Sequence, residues 1–405
     1  MSLYSYTAKR ADGQVIGGQL KADSEQQLAE QLRQQQLTLV SSTIAATPRF
    51  SINDWFEQLQ GVSTVQKIFF TQNLTVMLRG GFSISRAMGT LALQSSGRYF
   101  RKVILGLKGD VESGISFSQA LRKYPRIFSD LFINMIAAGE VSGKLDEVLR
   151  SLTKQLKKEH QLISKVRGAM TYPVIVVIAM IAAAIAMVTF VIPKLLVVFE
   201  ESKTTLPLPT RILIAITNGF QHYGLWIGLG VLGLIILLIW VGRTSRGHWV
   251  YDQILIVTPI VGPIVKKINL ARFTRNLSSM LATDIPIIQT FQIIGRTLSS
   301  AHYRQAVEQA GQALKTGASV AKVLERYPKL FPPLVQQMIS VGEESGTLDD
   351  VSNELAIFYE EDVDQTMANL STIIEPVLLL FLGAGVAGIA VSVLLPMYSL
   401  TEAIN

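Results

Sequence analysis

Gly139 to Leu145 is the stretch of this chain that comes nearest to a nucleotide-binding loop. Its sequence, GEVSGKL, is similar to the glycine-rich loop whose backbone amides hold the phosphates of ATP. It has one residue too few between its glycines, and no Ser or Thr follows Lys144. A second copy, from Gly342 to Leu348, has Thr347 in place of the lysine. The stretch therefore lacks what an ATP site needs, and a turn between two helices explains it better.

The glycines of this stretch predict where the turn lies in each copy. Gly139 and Gly342 can adopt the backbone conformation that ends a helix, so we expect a helix to end at each of them. The next helix is then expected to begin near Leu145 in the first copy and near Leu348 in the second.

Each copy also carries an acidic residue that could act chemically. The carboxylates of Glu140 and Glu343 could hold the turn, contact a partner residue or bind a divalent cation weakly. Holding the turn is the favoured interpretation, and the two residues stay weak candidates for a metal site. The full motif comprises Gly139, Glu140, Ser142 and Gly143 in the first copy and Gly342, Glu343, Ser345 and Gly346 in the second.

Two further stretches match the GxGxxG pattern of dinucleotide-binding proteins, Gly228 to Gly233 and Gly383 to Gly388. Both lie inside long apolar segments, whereas the pattern requires a preceding strand and a helix that opens on it. Helix packing explains the second stretch better. Gly383 with Ala387, and Ala384 with Gly388, place small residues four apart on a helix, which allows helices to approach closely.

The remaining reactive residue types predict no catalytic centre. The four histidines, His160, His222, His248 and His302, have no metal-ligand spacing and are expected at the surface. The chain has no cysteine, which excludes thiol nucleophiles, Cys-ligated zinc and iron–sulfur clusters. Neither an enzyme nor a cofactor is predicted.

The elements that position these motifs begin with three apolar stretches. Pro173 to Pro193 has no charge and one hydroxyl, and as a helix it is about 30 Å long, the thickness of the hydrocarbon core of a bilayer. Residues 376–396 have the same character, and residues 224–242 carry Trp226 and Trp240 near their ends, as membrane interfaces favour. We predict three transmembrane helices.

The first and third stretches belong to an internal duplication. Pro376 and Pro396 follow Pro173 and Pro193 at one constant offset of 203 residues, and the match runs upstream to Phe70 and Phe273 without a gap. Such a match indicates a duplicated domain. Helical spacing of apolar residues predicts that both copies are helical bundles, each running as a continuous stalk into its transmembrane helix.

The expected organisation is a mainly α, polytopic membrane protein with a small N-terminal module. Its parts are an α/β module at 1–45, a linker at 46–62, helical repeat one at 63–172, a first span at 173–193, an outer loop at 194–223, a second span at 224–242, helical repeat two at 266–375, a third span at 376–396 and a tail at 397–405.

Charge orients the chain and indicates its partners. The net charge of +7 favours anionic lipid or an acidic partner over nucleic acid, because the basic residues flank the spans. Lys and Arg precede the first span and follow the second, while the 194–223 loop holds only Lys194, Lys203 and Arg211. Both repeats and the N-terminus are therefore expected in the cytoplasm. Charge does not orient the third span, and its hydrophobic pass together with the repeat symmetry predicts that the C-terminus lies outside.

The two stalks carry opposite charge at equivalent positions. Lys157 and Lys158 in repeat one correspond to Glu360 and Glu361 in repeat two, within a run of ten acids and no basic residue from 343 to 375. We expect the stalks to meet, within one chain or between chains, or to serve differently charged partners. Paired surface charges would give orientation more than affinity.

Taken together, these features resemble the inner-membrane platform proteins of type IV pili and type II secretion systems. The resemblance rests on the N-terminal sequence YSYTAKRADGQVIGGQL, the paired helical domains, the doubled motif, the Tyr172-Pro173 entry and the three spans, and it covers essentially the whole chain. It implies a platform in the bacterial inner membrane that couples a cytoplasmic hexameric ATPase to the extraction of pilins or pseudopilins. It also implies a homo-oligomer that contacts other inner-membrane components and is not itself an enzyme.

Two other classes stay open at this stage. A transporter or channel component would usually place its repeats and polar residues within the bilayer, whereas these spans contain only Thr189 and Ser392 as polar residues. A membrane enzyme would need a catalytic constellation, which the sequence does not offer.

Overall fold

The computed structural model describes residues 2–10, 15–22, 25–34, 37–44, 61–193, 208–259 and 261–404. The chain divides into an N-terminal unit and a second unit that contains both repeats. The N-terminal unit consists of β1 (Ser2–Arg10), β2 (Val15–Ala22), α1 (Glu25–Gln34) and β3 (Leu37–Ile44). Its antiparallel sheet has the order β2-β1-β3, and its core contains Ala8, Ala22, Leu28, Leu32 and Leu37. Residues 46–60 of the predicted linker, and residue 45 before them, lie outside the described residues.

Repeat one is a bundle of five helices followed by a stalk. These are α2 (Thr64–Arg79), α3 (Ile84–Gln94), α4 (Arg98–Glu112), α5 (Phe117–Arg122), α6 (Asp130–Ser142) and the stalk α7 (Leu145–Ala186). Serines fix several starts: Ser63, Ser83, Ser116 and Ser129 each accept a backbone N–H from the first turn, which satisfies a donor that has no partner inside the helix.

Between the repeats lie α8 (Leu208–Arg243) and α9 (Ser245–Val257). Repeat two then follows as α10 (Val261–Leu281), α11 (Ile287–Thr297), α12 (Ala301–Lys315), α13 (Val320–Leu324), α14 (Pro333–Ser345) and α15 (Leu348–Ile404). The bounds of α11, α12 and α14 repeat those of α3, α4 and α6 at the offset of 203 residues seen in the sequence. The predicted mainly α fold with a duplicated helical domain is confirmed.

Equivalent aromatic residues fill the two bundle cores. Phe70 contacts the rings of Phe100 and Phe128 in repeat one, with centroids 5.7 and 6.2 Å away. In repeat two, Phe273 contacts Phe331 at 5.2 Å, and Phe331 in turn contacts Tyr303 at 5.5 Å. Edge-on or tilted ring pairs of this kind add to the free energy gained by burying apolar surface. The same residue positions therefore form both cores.

Both stalks are continuous, as the sequence predicts. The helix α7 passes through Pro173 without ending and is followed by a π-helical turn at Met187–Val191. In repeat two, α15 continues through the predicted tail to Ile404. A proline inside a helix removes one N–H donor and crowds the carbonyl four residues before it, so Pro173 costs α7 one hydrogen bond without ending the helix.

Three helices are long and apolar enough to cross a membrane, at 145–191, 217–243 and 348–388 among the described residues. The second begins earlier than predicted, because α8 starts at Leu208, within the segment expected to be the 194–223 loop. The helix α9 was not predicted from the sequence. This helix meets α10 at an angle of 109°, and the pair would make one further, broken span. However, Leu270, Phe273 and Leu277 place α10 in the core of repeat two.

Candidate functional site

Glu140 joins two helices of repeat one. It lies in the last turn of α6, and its carboxylate accepts the backbone N–H of Phe117 at 2.5 Å and of Ser118 at 3.0 Å. Both amides belong to the first turn of α5 and have no partner within that helix. A carboxylate at a helix N-terminus also faces the positive end of the helix dipole. The side chain thus fixes the short helix α5 on the end of α6.

Glu343 makes the same contact in repeat two with one more donor. Its carboxylate accepts the N–H of Val320 at 2.8 Å, the N–H of Ala321 at 3.2 Å and the hydroxyl of Ser319 at 2.7 Å. The predicted choice was a role in the local turn, a partner contact or a cation. The geometry is a contact with partner residues, from the end of one helix to the beginning of another.

The expectation that Gly139 and Gly342 end their helices is wrong. Both lie inside α6 and α14, which end three residues later, and the left-handed positions belong to Gly143 (φ 72°) and Gly346 (φ 74°). Gly139 and Gly342 are needed for a different reason. A Cβ atom at Gly139 would lie 2.9 Å from Cγ2 of Val148, and one at Gly342 would lie 3.1 Å from Cβ of Val351. Only glycine lets each stalk pack this closely on the preceding helix.

The helices after the turn begin at Leu145 and Leu348, as predicted. Ser142 is exposed at the end of α6, whereas the hydroxyl of Ser345 donates to the carbonyl of Val341 at 2.7 Å. Among the described residues, no group of three or more His, Asp or Glu side chains could hold a metal ion.

The two stalks meet within the chain. Of the two lysines and two glutamates singled out from the sequence, Lys158 and Glu360 lie at the contact. Lys158 Nζ on α7 lies 3.1 Å from Glu360 Oε2 on α15. The other oxygen of Glu360 accepts the Nε–H of Arg275, on α10, at 2.7 Å. Lys157 and Glu361 are exposed and outside this cluster. The pairing is offset from the sequence equivalence, in which Lys158 corresponds to Glu361.

Further ion pairs extend along the acidic stalk. Asp362 pairs with Lys267 of α10 at 2.7 Å, and Asp364 pairs with Lys165 of α7. Acids on α15 therefore face bases both from their own repeat and from the other stalk. An apolar cluster beside the ion pairs continues the contact between the stalks. It consists of Leu162, Val363 and Met367.

A cavity of about 420 Å³ lies where the repeats meet. Gln155, Asn276, Arg272 and Glu360 contribute to its wall. The side-chain amide of Gln155 donates to Asn276 Oδ1 at 2.6 Å, yet Gln155 Oε1 and Glu360 Oε2 accept no hydrogen bond from any described residue. Lys158 lies within ion-pair distance of Glu360 Oε2 without hydrogen-bond geometry, so electrostatic attraction alone satisfies that oxygen. This part of the contact between the repeats is therefore polar, in contrast to the apolar cluster of the stalks and to the two bundle cores.

One polar cluster was not found by the sequence analysis. Asp252 Oδ2, on α9, accepts the hydroxyl of Ser300 at 2.7 Å and lies 2.8 Å from His302 Nδ1. The ring of His302 is also 5.0 Å from that of Trp249, so the expectation of a surface position is wrong for this histidine. Ser300 caps α12 and donates to Asp252 rather than to the histidine, so the cluster does not activate a nucleophile. It fastens α9 to repeat two.

The small residues predicted to pack in the third span are exposed within this single chain. Gly383, Ala384, Ala387 and Gly388 all lie on α15, and a Cβ atom built on Gly383 would meet no other atom within 4 Å. The glycines of the other GxGxxG stretch, Gly228 to Gly233, lie inside α8. Neither stretch follows a strand, so neither has the structural context of a dinucleotide site.

Two family models match the chain. The model described as "Type II secretion system (T2SS), protein F" matches residues 70–193 and again residues 273–396. The model described as "Type II secretion system protein F, N-terminal domain" matches residues 1–42. The two segments matched by the first model have the same limits as the internal duplication.

Proteins of both kinds of machine are similar to the chain over most of their length. A type IV pilus assembly protein PilC from Myxococcus xanthus is 33% identical over 345 residues, which are 85% of this chain and 82% of the relative. One from Thermus thermophilus is 31% identical over 405 residues, covering 99% and 98%. A type II secretion system protein F from Aeromonas hydrophila is 30% identical over 390 residues, covering 95% and 99%.

Proposed function

This chain belongs to the type II secretion system protein F family, and on that premise we propose that it is an inner-membrane platform for assembling a type IV pilus or a secretion pseudopilus. It is a multi-pass inner-membrane protein with three apolar helices. The observation that carries the proposal is mechanical. Each helical bundle is joined to its span by one unbroken helix, α7 or α15, so that a force on the bundle can reach the bilayer.

In the proposed mechanism the chain transmits work and performs no catalysis. A cytoplasmic hexameric ATPase rotates or tilts the bundles, and the stalks pass that motion to the spans, where pilins or pseudopilins leave the lipid. The ion pairs between α7 and α15 support this coupling, because they link the two stalks just before the spans. Copies of the chain itself and other inner-membrane components complete the assembly.

The proposed orientation places the N-terminus and both repeats in the cytoplasm and the C-terminus in the periplasm. Basic residues flank the first two spans on the side of the repeats, in agreement with the distribution that membrane insertion favours. A periplasm-dependent enzyme reporter fused after Asn405 should be active. A silent fusion, with the same reporter active when inserted at Lys203, would overturn the orientation of the third span.

Gene deletion and complementation in the native bacterium test the function. Deletion should abolish either surface pili or secretion of exported proteins, and the full-length chain should restore it. Filaments are counted by electron microscopy, and secreted proteins are measured in the medium. If deletion leaves both intact, the platform proposal is wrong. Solute flux through vesicles containing the purified chain would favour a transporter instead.

A further inference from the structure

Within one chain, the repeats contact each other through two different faces. On repeat two, the α10–α11 face consists of Arg272, Asn276 and Arg296. On repeat one, the α6–α7 face consists of Asp130, Gln155 and Glu159. Arg296 lies 3.8 Å from Asp130, Asn276 accepts from Gln155 at 2.6 Å, and Arg272 lies 3.9 Å from Glu159. The contact is head to tail, so it leaves one face unused on each repeat.

The unused faces are the duplicates of the used ones. By the constant offset of the repeat, the α10–α11 face corresponds to an α2–α3 face in repeat one, made of Phe69, Asn73 and Leu93. The α6–α7 face corresponds to an α14–α15 face in repeat two, made of Pro333, Phe358 and Asp362. Because the backbones of the two repeats have the same helices at the same positions, the unused faces have the same arrangement of helices as the used pair.

Equivalent residues differ in exposure according to whether a repeat covers them. Leu131 beside the α6–α7 face is 6% exposed, and its duplicate Leu334 is 42% exposed. Gln155 is 6% exposed, and its duplicate Phe358 is 49% exposed. On the α2–α3 face, Phe69 is 48% exposed and Leu93 is 81% exposed. The unused faces therefore expose large apolar side chains at positions whose duplicates in the used faces include polar residues.

Each of the three polar pairs of the used faces has at least one apolar member in the unused faces. The ion pair of Arg296 with Asp130 becomes the apolar pair of Leu93 with Pro333. The amide pair of Asn276 with Gln155 becomes Asn73 with Phe358. Asp362 already pairs with Lys267, so Phe69 opposite it contributes apolar area rather than a charge partner. Leu93 and Pro333 are apolar on both sides, whereas Asn73 and Asp362 stay polar and only their partners, Phe358 and Phe69, have become aromatic. Aromatic side chains are enriched in protein interfaces.

We propose that the α2–α3 face of one copy of this chain docks on the α14–α15 face of a second copy, repeating between chains the contact that joins the repeats within each chain. This extends the self-association in the proposed function by naming its surface. A head-to-tail contact repeated by rotation forms a ring when the rotation closes. The more apolar composition of the unused faces suits a contact between separate chains. Two chains lose translational freedom when they associate, and the burial of apolar surface must offset that loss, whereas the covalently joined repeats of one chain do not incur it.

Cysteine crosslinking of the full-length chain in membranes tests the contact, and the natural chain has no cysteine to interfere. Two tagged copies are coexpressed, one with Asn73→Cys and the other with Phe358→Cys, and treated with a short bis-maleimide. A product carrying both tags is expected. Gln155→Cys with Asn276→Cys in one copy is the positive control. Thr347→Cys in place of Phe358→Cys is the matched negative control, since it lies about 16 Å away along the stalk. If only the positive control reacts, the proposal is wrong.

A charge exchange gives a second test without a crosslinker. Leu93→Arg should reduce copurification of the two tagged copies about tenfold, the effect of losing one anchor of an interface. Adding Pro333→Asp should restore it, because the pair then repeats Arg296 with Asp130. Absence of rescue would contradict the proposed register.

A photoreactive residue at position 93 separates the possible occupants of the face. Crosslinks to residues 333–362 of another copy support the proposal, whereas crosslinks to the N-terminal unit or to a different protein overturn it. These results are independent of pilus and secretion assays. If filaments form but no crosslink is found, the contact is refuted and the platform function stands. If the crosslink is found but gene deletion harms neither filaments nor secretion, the platform function is refuted and the contact stands.

Discussion

Lys157 and Lys158 of repeat one stand where repeat two has Glu360 and Glu361, although the helices on which they lie begin at equivalent residues. Glu140 and Glu343, by contrast, are the same residue in both copies, and each makes the same contact with the short helix that precedes its own, α5 or α13. Duplication has thus kept the residues that hold each bundle together and changed those that face the other repeat. The comparison teaches that the two bundles are built alike but present different surfaces.

Reversing the partly buried charge of Glu360 should give the largest effect. Glu360→Lys would place a third cation beside Arg275 and Lys158, both within 3.1 Å of its carboxylate. We expect a loss of about 3 kcal/mol or more in the free energy of unfolding, because a buried cation loses its partner. Thermal and denaturant unfolding of the full-length chain in detergent measures it.

The matched control for that variant is Glu361→Lys, which makes the same change of charge at an exposed position. It should alter the free energy of unfolding by no more than about 0.5 kcal/mol. Adding Lys158→Glu to Glu360→Lys should rescue only part of the loss, since Arg275 still faces a lysine. Equal effects at 360 and 361 would contradict the pairing observed between the stalks.

Removing the carboxylate that the two copies share, at Glu140 or Glu343, should test how similar the two bundles are. Glu140→Ala leaves two backbone N–H groups without an acceptor, and Glu343→Ala leaves two N–H groups and a hydroxyl. Each should lower the free energy of unfolding by about 2 kcal/mol, the loss for buried donors left unpaired. Hydrogen exchange should accelerate at Phe117 and Ser118 in the first variant and at Val320 and Ala321 in the second.

Glu344→Ala is the control for the carboxylate variants, because Glu344 is exposed and, within the described part of the chain, accepts only from Ser340 on its own helix. It should leave exchange at 320 and 321 unchanged. Faster exchange throughout repeat two after Glu344→Ala would show that the carboxylate effect is not local to the α13 contact.

Adding a methyl group at the close helix crossings should give the smallest effect. Gly139→Ala brings a Cβ within 2.9 Å of Val148, and Gly342→Ala brings one within 3.1 Å of Val351. We expect a loss of about 1 kcal/mol, the low end for overpacking, and a slightly larger loss in repeat one. Thermal unfolding measures this loss. Gly109→Ala is the control, because a Cβ atom added there would lie within 4 Å of no described residue beyond its own stretch of helix. A stabilising effect of Gly139→Ala would mean that the crossing has room to spare.

Local sequence predicted the start of each stalk but misplaced the role of its glycines. Leu145 and Leu348 were identified as helix starts because apolar spacing resumes there. The sequence wrongly predicts helix ends at Gly139 and Gly342, since a glycine signals either a turn or a close approach and only the neighbouring helix distinguishes the two. Likewise, nothing near Glu140 in the sequence indicates that its partners are Phe117 and Ser118, more than twenty residues away.

The amino-acid sequence by itself determined the duplication, the apolar helices and the helical character of both bundles, because these depend on periodicity and on residues close together along the chain. Only the tertiary structure decided which side of each duplicated face is covered. Lys158 meets Glu360 rather than its equivalent Glu361, and Phe358 lies in water where Gln155 is buried. The physical reason is that a head-to-tail contact between two copies of one fold uses a different face of each, and a linear sequence carries no record of which face that is.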